Sequence, residues 1–213
     1  MNAAKAALFD AEAGAPWAAA PYGDEEQPKI TRLLAAAELG AGADVFEPGC
    51  GTGRLTTVLA DAVGPQGRVV ALDISGKMVE ACRARVRAYP HVSVHHAGVE
   101  DFALEPKAFD AIVCHQVVPH FEDLPAALAS LARALRPGGR LVVVHFIGAD
   151  RVNAIHRAAS PILHQDRLPA TGEMTRLLRT VGLTVDWAVE DELGYLVRGR
   201  PAGGSNRRWK QDD

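Results

Sequence analysis

Residues 43–64 read ADVFEPGCGTGRLTTVLADAVG, and this stretch decides the fold. Residues 43–46 have the length and apolar character of a short buried strand. A glycine-rich loop, residues 49–53, follows directly. Apolar side chains then recur at helical spacing over residues 55–62, until Gly64-Pro65 ends the helix. A strand, a glycine loop and a helix in this order predict a ligand site beyond the carboxyl end of the strand.

The same unit recurs downstream. Residues 69–72 form a second apolar strand that ends at Asp73, and Ser75 is placed to cap the next helix. Further strands are predicted at 92–94, 111–114 and 141–146, with a short helical or irregular piece between the third and the fourth. Short, continuously apolar strands that alternate with helices predict a parallel sheet covered on both faces.

The two ends of the domain follow different patterns. Upstream, Pro28 opens a helix that ends at Gly40, and downstream Arg136–Gly139 is predicted to break a helix before the fifth strand. After a helix closed by Gly182, two β-like runs at 184–189 and 194–198 are separated by a few polar residues. Because that gap is too short for a crossover helix, the two runs predict an antiparallel hairpin.

The residues around the loop narrow the choice of ligand. A dinucleotide fingerprint requires a small residue where this chain has Arg54. Glu47, just before the loop, is unfavourable beside a phosphate but suits a ligand with an ammonium and a sulfonium group. Asp73, twenty residues beyond Gly53, can accept both hydroxyls of an adenosine ribose. These features disfavour a nicotinamide-dependent oxidoreductase.

Four motifs carry a resemblance to a known family: residues 45–55, residues 70–75 with Met78, residues 109–113 and residues 135–141. Together they resemble the class I S-adenosylmethionine-dependent methyltransferases over roughly residues 25–200. The resemblance implies an α/β fold, a Rossmann-like, doubly wound, seven-stranded sheet in the order 3-2-1-4-5-7-6. This sheet is mostly parallel with an antiparallel last strand. The implied cofactor is S-adenosylmethionine.

The predicted cofactor-binding residues are Glu47, Gly49, Cys50, Gly51, Gly53, Asp73, Ile74, Met78, Val99, Glu100 and His115. The resemblance implies that Glu47 orients the methionine part, that Asp73 holds the ribose and that Ile74 and Met78 pack on the adenine. Such families often have an aspartate at position 98, where this chain has glycine. Glu100, or the backbone of Val99, is the predicted substitute contact for the adenine amino group.

Three histidines near the expected pocket are catalytic candidates: His115, His120 and His145. Methyl transfer needs a general base only when the acceptor loses a proton. His115 has either a chemical role or a lining role through its backbone, whereas packing at a helix entry is the favoured interpretation for His120. His145 is expected to point towards the pocket mouth.

The insertion at about 148–170, which contains His156, His164 and Asp166, is expected to build the acceptor pocket. No metal ligand is assigned, because the histidine spacing matches no compact ligand motif. A metal-assisted reaction is a minority alternative.

Residues 1–24 form a loosely structured leader, in which Trp17 and Tyr22 either close over the cofactor as a lid or belong to a packed or disordered terminus. Residues 201–213 are predicted to be a disordered tail.

Composition limits the partners. The chain has 213 residues and a formal net charge of −3, which gives no electrostatic reason to expect nucleic acid. Three cysteines without disulfide spacing, and the lack of a signal-peptide or membrane-span pattern, predict a cytoplasmic location and no membrane partner. The expected acceptor is a small molecule with an O, N, S or C nucleophile. A non-catalytic protein that only binds the cofactor is an open alternative. The sequence also leaves open whether the protein is a monomer or a homodimer.

Overall fold

The computed structural model describes residues 1–202 as an α/β domain built on one sheet. The sheet has the order β3-β2-β1-β4-β5-β7-β6, as predicted. Its strands are β1 (Asp44–Pro48), β2 (Arg68–Asp73), β3 (Val92–His96), β4 (Phe109–His115), β5 (Leu135–His145), β6 (Leu183–Asp191) and β7 (Gly194–Pro201). The helices are α1 (Ala3–Glu12), α2 (Pro16–Ala19), α3 (Gln27–Ala37), α4 (Arg54–Val63), α5 (Gly76–Arg85), α6 (Leu124–Ala134), α7 (Ala149–Ala159) and α8 (Thr171–Thr180).

Helices cover both faces of the sheet, which is why the middle residues of its central strands are apolar on both sides. Successive side chains of a strand point to opposite faces. Val45 of β1 therefore packs in the core beneath α3 and α4, while its neighbour Phe46 packs in the core formed with α6 and α8. The double covering confirms the doubly wound arrangement predicted from the alternating pattern.

The last two strands form the predicted antiparallel hairpin. Asp191 pairs with Gly194, so only two residues make the turn. The Leu193 amide donates to the Asp191 carboxylate at 2.9 Å, which fixes that turn. Strand β7 then inserts between β5 and β6 and runs antiparallel to both.

Strand β5 begins earlier than predicted. The sequence predicts a break over Arg136–Gly139 and a strand from residue 141, whereas β5 already starts at Leu135. Leu135 pairs with Phe109 and Arg140 pairs with Ala111, so the residues between them form an irregularity in the ladder. The Arg136 guanidinium holds this segment along the sheet by binding the carboxylates of Asp44 and Asp110 at 2.6 and 2.5 Å.

The predicted loose leader is instead helical. Asn2 caps α1 by accepting hydrogen bonds from the amides of Ala4 and Lys5, both at 3.1 Å. At the other end of α1, the Asp10 carboxylate accepts hydrogen bonds from the Ser75 hydroxyl at 2.6 Å and the Lys77 amide at 3.0 Å. We call residues 3–22, which include α1 and α2, the strap.

Two regions complete the description. Residues 97–108, predicted as short helical or irregular, contain no helix or strand. Most of the predicted tail, residues 203–213, lies outside the described residues, and Pro201 still belongs to β7. Among the helices of residues 1–202, none has the length and apolar character needed to cross a membrane.

Candidate active site

A cavity of about 980 Å³, including its solvent-open side, lies at the carboxyl ends of β1, β2 and β4. This is the edge at which open α/β sheets bind ligands. The floor is the glycine loop after β1, and the roof is the strap. The cavity therefore occupies the position that the sequence predicts.

Backbone amides tie the glycine loop to the end of β2. The amides of Gly49 and Cys50 both donate to the Leu72 carbonyl, at 2.7 and 2.9 Å. The Gly51 amide donates to Asp73 Oδ2 at 2.9 Å, and the Ser75 amide donates to Asp73 Oδ1 at 2.8 Å. Burial raises the pKa of Asp73, and the two amides oppose that shift by stabilising the carboxylate. One carboxylate thus joins the loop, the strand end and the next helix.

The structure brings nine of the predicted cofactor residues to the cavity wall. They are Gly49, Cys50, Gly51, Asp73, Ile74, Met78, Val99, Glu100 and His115. A Cβ placed on Gly51 would meet no atom within 4 Å, so the loop borders open space at this point. The Glu100 carboxylate accepts a hydrogen bond from the Glu122 amide at 2.9 Å.

Glu47 and Gly53 do not line the cavity, which differs from the prediction. Glu47 is 1% exposed and accepts a hydrogen bond from the Thr56 hydroxyl of α4 at 2.7 Å. Burial raises the pKa of Glu47 well above its ordinary value. Gly53 packs on α5, where an added Cβ would lie 2.8 Å from Cys82 Sγ. Both residues support the loop from beneath, because β1 ends one residue after Glu47 and the loop covers them.

His115 lies in the cavity wall among aromatic rings. Its ring centroid is 4.6 Å from that of Phe146 and 6.4 Å from that of Tyr22. Its Nε2 atom is buried and has no hydrogen-bond partner among the described residues. Burial, with a smaller contribution from the Arg54 charge, lowers the pKa of His115 to about 3. The imidazole is therefore neutral.

The other two candidates differ from their predicted positions. His120 does more than pack at a helix entry, because it lines the cavity and its Nδ1 is 2.6 Å from Asp166 Oδ2. His145 does not reach the cavity wall, although it was expected at the pocket mouth. Its side chain is 3% exposed beside Tyr195, and burial lowers its pKa well below the ordinary value. The reason is strand alternation, since His145 shares the face of Val143 rather than that of Val144.

The strap closes the cavity from above through Phe9, Trp17 and Tyr22. Arg54, the residue that breaks the dinucleotide pattern, holds it in place. Its guanidinium donates to the Trp17 carbonyl at 2.7 Å, binds both carboxylate oxygens of Glu26 at 3.0 Å and stacks 4.0 Å from the Tyr22 ring centroid.

Two further side chains hold the short helix α2. The Thr52 hydroxyl donates to the Ala18 carbonyl, and Arg85 donates to the Ala19 carbonyl at 2.7 Å. The glycine loop and α5 therefore both bind the strap directly. Within residues 1–202, no group of three or more His, Cys, Asp or Glu side chains is arranged to hold a metal ion.

Comparison with known proteins agrees with this geometry. Residues 46–143 match a family described as a methyltransferase domain. The chain is 31% identical to the nocamycin O-methyltransferase of Saccharothrix syringae over 180 residues, covering 73% of this chain and 64% of that protein. It is 34% identical over 158 residues to a probable S-adenosylmethionine-dependent methyltransferase of Mycolicibacterium smegmatis, covering 73% of this chain and 56% of that protein. Residues 46–143 therefore contain a methyltransferase domain, and the chain is similar to S-adenosylmethionine-dependent methyltransferases.

Solved structures of methyltransferases share the fold. The N-methyltransferase NodS of Bradyrhizobium japonicum, solved with S-adenosyl-L-homocysteine, superposes with a TM-score of 0.72 at 21% identity, covering 92% of this chain and 98% of that chain. At this identity the likeness shows the fold alone. The chain spans about half the length of the curated methyltransferases it matches.

Two residues of the strap, Phe9 and Lys5, belong to the site or support it but were not identified from the sequence. Phe9 lines the cavity and Lys5 binds Asp166 at 2.8 Å. The available signal was weak: a capping residue, Asn2, followed by Lys5 and Phe9 four residues apart on one helix face. The surrounding alanines favour a helix but do not show which face is buried.

Proposed function

We propose that this chain binds S-adenosylmethionine in the cavity and transfers its methyl group to a small-molecule acceptor with an O, N, S or C nucleophile. The observation that carries the proposal is the hydrogen bond from the Gly51 amide to Asp73. It places the glycine loop and the acidic end of β2 on one wall, 2.9 Å apart. The bound cofactor supplies an electrophilic methyl carbon whose bonding pair remains on sulfur.

The residues in the wall fit the parts of that cofactor. Asp73 has carboxylate lone pairs that can accept the ribose hydroxyls in addition to its two amide donors. Ile74 and Met78 offer an apolar surface for the adenine, and Glu100 or the Val99 backbone can receive its amino group. The described cavity wall contains two carboxylates, Asp73 and Glu100, and its guanidinium, Arg54, is paired with Glu26. This charge distribution favours a positively charged ligand over the phosphates of a dinucleotide.

The strap gives the site its second function, the exclusion of water. A methyl transfer needs a nucleophile aligned with the sulfonium and shielded from solvent. Phe9, Trp17 and Tyr22 of the strap line the cavity, and the glycine loop holds the strap over it through the hydrogen bond from Thr52 to Ala18. We propose that the strap is the lid of the active site, ordered by Arg54 and Thr52.

The test is calorimetric titration of S-adenosylmethionine, S-adenosylhomocysteine and NAD into the wild type, Asp73→Asn and the control Glu80→Gln. Glu80 is an exposed carboxylate on α5. We expect the two adenosyl ligands to bind and Asp73→Asn to weaken binding by roughly 10- to 100-fold, the value of a hydrogen bond to a charged group. Glu80→Gln should bind as the wild type does. Binding of NAD alone, or of none of the three ligands, would overturn the proposal.

A radiolabelled methyl group then separates an enzyme from a cofactor-binding protein. The labelled cofactor is incubated with a panel of small phenols, enols, amines and thiols. Transfer to a member of the panel supports catalysis. Tight cofactor binding without transfer to any of them favours the non-catalytic alternative.

A further inference from the structure

A histidine and a carboxylate are paired at the acceptor side of the cavity. His120 Nδ1 lies 2.6 Å from Oδ2 of Asp166, which is 6% exposed. An ionised carboxylate can only accept, so Nδ1 carries the proton and the neutral ring keeps its lone pair on Nε2. That Nε2 atom has no hydrogen-bond partner within residues 1–202.

Burial lowers the pKa of His120, and the Asp166 carboxylate packed against the ring opposes that shift. Lys5 of α1 donates to Asp166 at 2.8 Å and to Glu122 at 2.9 Å. On the α7 side, His156 Nδ1 is 2.8 Å from the Asp166 carbonyl oxygen. The buried His145 lies on the β5 side and is neutral. Two carboxylates therefore face one ammonium group, and a proton on His120 would balance the cluster.

His115, the other cavity histidine, has the opposite surroundings. Within residues 1–202 no carboxylate pairs with it, and burial, together with a smaller contribution from the Arg54 charge, keeps its ring neutral. It can donate or accept a hydrogen bond but does not hold an additional proton at neutral pH. The environments of the two histidines therefore assign the proton-accepting role to His120 and leave His115 a binding role.

The wall beside His120 indicates the chemistry of the acceptor. Phe9, whose ring is 5.0 Å from that of His120, and Phe121 give this end an aromatic lining. Arg54, which lines the cavity, and Lys5, which binds Asp166, are both already paired with carboxylates. Nothing in this part of the wall compensates an acceptor that enters as an anion, so a neutral ring compound fits better. A phenol-like hydroxyl, with a pKa of roughly 10, then needs a base.

We propose, building on the function proposed above, that His120 is the general base for an acceptor with a weakly acidic phenol or enol hydroxyl. The O–H bond breaks and its proton moves to His120 Nε2. The electron pair left on oxygen forms the new bond to the methyl carbon, while the carbon–sulfur pair stays on sulfur. Asp166 is a positioning residue that fixes the ring tautomer and balances the imidazolium, which later releases its proton to water.

Lys5 couples this base to the strap. Its ammonium group belongs to α1, yet it binds Asp166, Glu122 and, at 3.2 Å, the His120 carbonyl. When α1 is in place, burial lowers the pKa of His120 and the Lys5 charge adds a smaller contribution of the same sign, so the free base is favoured. If the strap leaves, Asp166 loses that partner and the proton affinity of His120 rises.

The first test is side-chain nitrogen NMR of the histidines, without ligand and with saturating S-adenosylhomocysteine. His120→Gln identifies the His120 signals. We expect a neutral Nδ1–H tautomer whose pKa falls by about one unit or more in Asp166→Asn and rises in Lys5→Met. His164→Gln, an exposed histidine of the same insertion, is the control and should leave His120 unchanged. Shifts of opposite sign establish that Asp166 and Lys5 act on the charge of His120, and the two experiments below test whether that charge serves proton transfer. An Nε2–H tautomer, or shifts of the same sign, overturns the proposal.

The second test uses 4-nitrophenol, whose ionised form is yellow, with protein saturated with S-adenosylhomocysteine. Calorimetry first establishes that the cofactor product binds, so failure of the proposed function is detected separately. The wild type should bind the probe and ionise it below its solution pKa, and His120→Gln should bind it in the neutral form. Equal ionisation by both proteins, or no binding to the wild type, refutes the assignment.

With a phenolic acceptor, His120→Gln should lower kcat by roughly 10²- to 10⁴-fold. Its S-adenosylmethionine affinity should stay within about threefold of wild type, a change of less than about 1 kcal/mol, and His164→Gln should keep full activity. A kcat within that same threefold in His120→Gln would overturn the role of His120.

Discussion

Replacing Gly49 by alanine tests how the glycine loop is built. Gly49 has a φ of +71°, and an added Cβ would lie 2.3 Å from Val117 Cγ2. Gly42, before β1, provides a matched control, because its φ is +83° and a Cβ there would meet nothing within 4 Å. The two substitutions share the backbone cost but differ in the steric clash.

The geometry sets the magnitudes. A left-handed conformation costs an L-residue roughly 1–2 kcal/mol, which applies to both variants. Overpacking adds roughly 1–3 kcal/mol in Gly49→Ala alone, because Val117 must move. For a domain of this length each kcal/mol lowers Tm by about 2–4 °C. Gly49→Ala should therefore melt about 2–12 °C below Gly42→Ala.

Urea unfolding followed by circular dichroism measures the difference. An unchanged m-value with a lower midpoint indicates a loss of stability rather than a change in the unfolded state. Gly51→Ala adds a ligand-dependent comparison, because its φ is +53° and its methyl group would enter the open cavity. It should match Gly42→Ala in stability but bind S-adenosylhomocysteine more weakly. If Gly49→Ala is as stable as Gly42→Ala, the contact of the added Cβ with Val117 does not destabilise the fold, and the steric explanation is refuted.

Two further predictions concern the strap and the buried acid. Arg85→Met removes the donor to the Ala19 carbonyl and should speed amide exchange in residues 16–20 by roughly tenfold or more, measured by mass spectrometry. Arg87→Met, an exposed control, should not. Because burial raises the folded-state pKa of Glu47, the folded protein retains a proton that the unfolded chain loses above about pH 4.3. The contribution of Glu47 to the free energy of unfolding should therefore fall as pH rises above that value, so the stability of Glu47→Gln relative to the wild type should increase between pH 4 and pH 8. A pH-independent difference in urea midpoint contradicts this.

The sequence determined the sheet and one wall of the site. Strands β1 and β2 are apolar and each is followed by a helix, so the glycine loop and Asp73 had to meet at one sheet edge. The short gap between the last two β-like runs left an antiparallel hairpin as the only connection. These conclusions depend on periodicity and connection length, which are local properties of the chain.

Tertiary structure alone decided the rest of the site. Asp166 lies 46 positions from His120, and Lys5 lies 115 positions from His120, yet they form one cluster. No local pattern marks such a pairing, because it depends on where separate elements pack. The same holds for Glu47 and His145, which sequence placed at the cavity. A shift of one position along a strand or loop decides whether a side chain points towards the core or towards the ligand. Packing sets that orientation.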